Sequence, residues 1–116
     1  MTIEAAIFSA LKDLVGERVF QNVSATPPAT PYITYQLIGG AVTNFLDATL
    51  PSKRNSRWQI DIWSHSPAEA ASLSQQAEDL FRLAARLQTT VLGAATGTYE
   101  PDTKLYGRRQ DFSFWH

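Results

Sequence analysis

SPAEAASLSQQAEDLFRLAARL, residues 66–87, decides the fold. Apolar residues fall at Ala70, Leu73, Ala77, Leu80, Ala84 and Leu87, in alternating steps of three and four that line one face of a helix. Ser72, Gln75, Gln76, Glu78, Asp79, Arg82 and Arg86 take the opposite face. Ser66 suits the N-cap, Pro67 the first helical position, and Glu69 follows Ser66 at capping-box spacing. Glu78 precedes Arg82 in the favourable order, whereas Arg82 and Arg86 repel at the same spacing. Acidic residues come early and arginines late, which suits the helix dipole. An apolar face this long needs a sheet or a second helix against it.

The flanking chain supplies both. A first helix is expected from Thr2 to about Val15, with Ile3, Ile7, Leu11 and Leu14 in line, Ala6, Ala10 and Val15 beside them, and Gly16 as a left-handed stop. Arg18 to Val23 reads as a short strand. SATPPATP, residues 24–31, reads as an extended surface connection, because its prolines exclude a helix and a central strand. Tyr32 to Ile38 alternates, with Ile33, Tyr35 and Leu37 on the side expected to be buried. Arg57 to Ser64 alternates more clearly: Trp58, Ile60 and Ile62 point one way, Arg57, Gln59, Asp61 and Trp63 the other. After Leu87 the reading is a short strand-like stretch at Thr89–Leu92, a loop at 93–97, an edge at Thr98–Glu100, a turn at Pro101-Asp102 and a long closing strand, Leu105–Trp115.

The expectation is an α+β fold: a small, mainly antiparallel sheet of four to five strands with two helices packed on one face. The 116 residues suffice for one domain with a core, carrying a long loop at 39–56 that exceeds hairpin length. One sheet face would stay open, with Tyr32, Thr34, Gln36, Gln59, Asp61, Trp63, Asp111, Ser113 and Trp115 on it. Two tryptophans on a polar sheet face suggest contact with another chain. The alternative is that the loop or the C-terminus half-buries them.

The net charge of -1 removes any bulk electrostatic case for nucleic acid or an anionic membrane. With no cysteine, disulfides and thiol chemistry are excluded, and folding inside the cell is expected. The N-terminal residues lack a signal-peptide pattern, and no apolar run reaches the ~20 residues of a membrane span.

Catalytic signatures do not emerge. His65 and His116 are far apart in sequence, there is no G-x-S-x-G elbow, and Gly39-Gly40 alone is no phosphate loop. Asp61 and Asp111 share a strand face and are expected to meet arginines such as Arg57 or Arg109 rather than work as an acid–base pair. Lys53, Arg54 and Arg57, and the pair Arg108-Arg109, form small basic clusters that could touch phosphate, although charged turns are usually just solvated. No catalytic, cofactor-binding or metal-binding residue is assigned. The interface candidates are Phe45, Leu46 and Leu50 in the loop, those five basic residues, and Trp63 and Trp115.

Four segments resemble the tail-completion, or tail-terminator, family of long-tailed phages and prophages. TIEAAIFSALKDLVGERVF is similar to the family's first helix and strand, and PPATPYITYQLIGG to its proline-led second strand. RWQIDIWSHSPAEAASLSQQAEDLF is similar to its third strand and second helix, and PDTKLYGRRQDFSFW to its closing signature. The resemblance spans nearly the whole chain. It implies a structural protein of the virion, made in the host cytoplasm, whose copies form a ring, typically a hexamer, on the head-proximal end of the tail tube. The ring would stop tube growth and join the head connector. DNA would pass through its centre without specific binding, and no cofactor, catalysis or membrane is implied. The alternatives are another neck, head-completion or minor tail protein, or a ligand-binding or enzymatic domain on a ferredoxin-like scaffold. A deep pocket with converging polar groups would mark the last.

Overall fold

The computed structural model describes residues 2–22 and 28–116. Its elements are α1 (Ile3–Leu11), β1 (Val19–Gln21), β2 (Tyr32–Gly39), β3 (Asn55–Ser64), α2 (Pro67–Leu83), β4 (Thr90–Val91), β5 (Thr96–Glu100) and β6 (Leu105–Trp115). Val23 and residues 24–27 of the expected strand and connection lie outside the described residues.

Helix α1 starts where Thr2 Oγ1 accepts the Ala5 N–H at 3.1 Å. It ends earlier than the apolar spacing implies. Lys12–Leu14 tighten into a 3-10 turn, and Gly16 (φ +57°) and Glu17 (φ +67°) take left-handed conformations that turn the chain into β1.

Helix α2 is capped by a relay. Ser66 Oγ accepts the Glu69 N–H at 3.2 Å. Glu69 does not reach back to the Ser66 N–H. That N–H donates to Ser64 Oγ at 3.0 Å, and Ser64 donates to Glu69 Oε1 at 2.6 Å. The capping box is thus closed through a buried hydroxyl at the end of β3. Regular helix stops at Leu83 rather than Leu87. Ala84 leaves helical geometry (ψ 89°), and a 3-10 turn, Ala85–Leu87, returns Leu87 to the core. The buried face is Ala70, Leu73, Ser74, Ala77 and Phe81. Phe81 is fully buried, whereas Leu80 is 37% exposed, so the apolar stripe turns onto Phe81 instead of Leu80.

The sheet has six strands, more than the four to five expected. The order is β1-β2-β3-β6-β4, with β5 also on β6. Strand β6 is long enough to hold two short partners along one edge. Leu105–Arg109 pairs with β5, and Phe112 and Ser113 pair with β4. All pairings are antiparallel except β1 with β2.

Both helices contribute to the core on one sheet face. Ile7 and Leu11 of α1 and Phe81 of α2 share a cluster with Ile33, Tyr35, Trp58, Ile60, Ile62, Phe112 and Phe114. The Phe81 ring meets those of Phe112 and Phe114 at 4.8 and 5.1 Å. Trp58 is fully buried, and its indole N–H donates to Ser56 Oγ at 2.9 Å. Ser56 Oγ in turn lies 3.1 Å from His116 Nε2. Buried Gln110 donates to both Glu78 Oε1 and the Gly93 carbonyl at 2.8 Å, fastening α2 and the β4–β5 connection to β6.

Candidate assembly interface

Among the described residues no helix covers the sheet face away from α1 and α2, and its side chains are ordered in rows. Across β2, β3 and β6 the rows are Tyr32–Trp63–Gly107, Thr34–Asp61–Arg109 and Gln36–Gln59–Asp111. Asp61 accepts from Arg109 Nε at 2.8 Å and from Gln59 Nε2 at 3.1 Å. The expected carboxylate–arginine contact is therefore Asp61 with its direct cross-strand partner, while Asp111 stands opposite Gln59. The half-buried Trp63 ring lies over Gly107. A Cβ there would sit 2.7 Å from the Trp63 ring and 2.9 Å from the Thr98 methyl. Glycine at 107 is thus the seat on which the indole rests. Trp115, also half-buried, is opposite Asn55. Burial in this wall pushes the Tyr32 hydroxyl pKa up.

The second surface is an arm. Residues 40–54 form no helix or strand, somewhat fewer than the 39–56 expected, because β2 continues to Gly39 and β3 begins at Asn55. Gly40 passes so close to Asn55 that a Cβ would meet the Asn55 carbonyl oxygen at 2.4 Å. Asn55 pins this root. Its Oδ1 accepts the Ala41 N–H at 2.8 Å, and its Nδ2 donates to Ser113 Oγ at 2.7 Å. At the tip, Asp47 Oδ1 accepts from the Thr49 hydroxyl at 2.6 Å and the Thr49 N–H at 3.1 Å. The hydroxyl bond, then the backbone one, holds the Asp47 carboxyl below its ordinary pKa.

Of the interface candidates, Leu46 and Leu50 are the most exposed, at 110% and 80%, with Phe45 at 49%. Lys53 and Arg54 lie exposed in the returning limb, and the Arg54 backbone pairs with His116. Arg57 is exposed on the open sheet face with Trp63. Arg108 and Arg109 do not form a cluster. Neighbours on a strand point to opposite faces, so Arg109 meets Asp61 while Arg108 lines a hollow with Pro67, Ala70, Tyr99 and Tyr106.

Several exposed apolar residues were missing from the candidate set. Leu37 (52%), Ile38 (40%) and Val42 (81%) continue the apolar run of the arm down into β2. Leu37 was expected to be buried. The alternation gives its direction correctly, but the core ends with Tyr35 and Trp58. Tyr99 and Tyr106 form an exposed pair with ring centres 5.0 Å apart.

A hollow of about 470 Å³ is lined by Ala6, Ser9, Ala10, Ala84, Ala85, Arg86 and Leu87, mostly apolar side chains. Among the described residues no three His, Asp or Glu side chains form a metal-binding group. No described helix is long and apolar enough to cross a membrane.

A polar sheet face carrying aromatics thus lies in the same molecule as an arm with exposed apolar residues. The chain belongs to the family of tail completion protein gp17, whose model matches residues 5–116. It is similar to a chain from the virion of a native gene transfer agent (GTA) particle, with 16% identity, a TM-score of 0.58, and coverage of 97% of this chain and 92% of that one. A second solved structure is similar at 15% identity and a TM-score of 0.50, covering 100% and 97% of the two chains. At these identities the likeness is one of fold. No curated protein matches the chain.

Proposed function

We propose that the protein is the structural subunit of a ring, a hexamer, seated on the head-proximal end of the phage tail tube. The ring stops tube growth and presents the surface that the head connector joins. DNA passes through its centre without being bound specifically. The protein acts as one domain, 1–116, in the virion after assembly in the host cytoplasm, and it needs no catalysis or cofactor.

The observation that carries this reading is the arm. Val42, Phe45, Leu46 and Leu50 are exposed on a segment the subunit does not cover, a costly arrangement unless a partner buries it. The arm and the open face with Trp63 and Trp115 are different patches. Such patches build heterologous contacts, and a rotation that closes makes a ring of limited size. Membership of the tail completion family supports the placement on the tail.

The test is tube elongation. Purified tail tubes are incubated with the protein, washed, and offered fresh tube subunits. The expected result is a ring at one end of each tube in micrographs and no further growth there. Tubes that grow as before, with the protein bound instead to isolated connectors, would favour the alternative of a neck protein.

A further inference from the structure

One corner of the helix side of the sheet holds an aromatic hollow with an unmatched positive charge. Gln110, Phe112 and Phe114 of β6 are buried toward the core, so with a period of two the side chains of Tyr106 and Arg108 lie on the same side. Tyr99 and Gly97 of β5 stand opposite these two. With Pro67 and Ala70 from the start of α2 they line a hollow of about 380 Å³. Tyr99 and Tyr106 are 48% and 38% exposed there. The Arg108 side chain runs over Gly97, where an added Cβ would lie 3.9 Å from Nε. Arg108 is half-buried, and among the described residues its guanidinium has neither a carboxylate nor a hydrogen-bond acceptor. Glu69, next to Ala70, is engaged by the Ser64 hydroxyl, and Glu100, next to Tyr99, by the Asp102 N–H. The N-terminal end of α2 adds its positive dipole end to the same corner.

We propose that this hollow receives the tip of the arm of the neighbouring copy in the ring, with Leu46 against the Tyr99 and Tyr106 rings and the Asp47 carboxylate on the Arg108 guanidinium. The two surfaces are complementary in charge and in polarity. Asp47 is the only charged residue between Gly40 and Ser52, so the tip is acidic. The Thr49 hydroxyl and N–H hold its carboxylate beside Leu46, the most exposed apolar side chain of the molecule. The hollow supplies aromatic surface and a cation, and tyrosine and arginine are the residues that most often anchor interfaces. Arm and hollow lie at opposite ends of the body. The arm leaves the sheet where Asn55 pairs with Trp115, and the hollow lies where Ser64 pairs with Tyr106, the ten residues of β3 or about 30 Å away. Leu46 stands exposed, so a copy does not fill its own hollow. A contact between unlike ends of successive copies is heterologous, and a rotation that closes limits its growth. The occupant is a second copy because one chain carries both the acidic apolar tip and the aromatic hollow with its unmatched cation. The docking rests on the ring proposed above.

Exchanging the two charges tests the docking. Asp47→Arg and Arg108→Asp are made singly and together, and the mass of each protein is followed across concentration, in solution and on tail tubes. Each single variant should raise the half-assembly concentration about tenfold or more, and the double variant should return to within about threefold of the wild type. Tyr99→Ala repeats the test without touching a charge and should also weaken assembly about tenfold. Urea unfolding of each monomer separates lost docking from lost folding, and Tyr99→Ala, at an exposed site, should leave it unchanged within about 0.5 kcal/mol. A double variant as defective as the single ones, beside wild-type rings, would overturn the docking and leave the ring standing. Asp47→Arg rings that close at the wild-type concentration but no longer seat on tubes would give the arm tip to the tube and overturn the docking as well. A wild-type protein that forms no ring on or off tubes would overturn both.

Discussion

Phe81, Trp58 and Gly107 show how single residues set the molecule. Phe81→Ala should cost about 3–5 kcal/mol, whereas Leu80→Ala on the exposed flank should stay within about 0.5 kcal/mol. Urea unfolding of the two variants checks this. Ser56→Ala leaves the buried Trp58 indole N–H without its acceptor and should cost about 1–3 kcal/mol by the same measurement. Gly107→Ala forces the Trp63 ring off its seat, with an expected cost of about 1–3 kcal/mol and a shift in tryptophan emission. Glu78 adds a pH dependence. The Gln110 amide first, and Arg82 next, hold its carboxyl below the ordinary pKa. A group depressed in the folded state stabilises above its unfolded pKa, and that stability is lost as pH falls through the folded one. Stability should therefore decline on acidification below the ordinary carboxylate pKa, and Glu78→Gln should flatten that limb. The inward direction of Trp58, Ile60 and Ile62 was legible from alternation alone. The exposure of Leu37 was not, because alternation gives a side chain's direction but not where the core stops. Gly107 carried no signal, since the ring it seats belongs to another strand.

Elements were legible where one periodicity ran unbroken. β3, β6 and the start of α2 follow from local pattern and capping chemistry. The end of α2 does not, because Ala84 and Ala85 are good helix formers and the break that returns Leu87 to the core is a tertiary outcome. The Ser64 relay was hidden for the same kind of reason, since it joins a strand end to a helix start. Ser64→Ala should cost about 0.5–2 kcal/mol by urea unfolding, because it unties both Ser66 N–H and Glu69. β4 and β5 were weak because their pairing on β6 depends on the length of β6 rather than on their own residues. The arm behaves differently from the body. Replacing Leu46 and Leu50 together by Ser should change monomer unfolding by no more than about 0.5 kcal/mol each, as at exposed sites generally. The same variant should lose binding to tube ends, which sedimentation with tubes reads.

For the molecule as a whole, its extents of 53 × 26 × 24 Å describe an elongated body, and its radius of gyration of 15.2 Å exceeds the value of about 13 Å for a compact chain of this length. The proposed ring uses that surface: the arm and the sheet face opposite the helices are unlike patches, the kind a rotating ring requires. The measurement that tests this most directly is the mass of the purified protein across a wide concentration range, with and without tail tubes. A closed ring, in solution or formed only on tube ends, is the predicted result. A monomer that ignores tubes at every concentration would contradict the account.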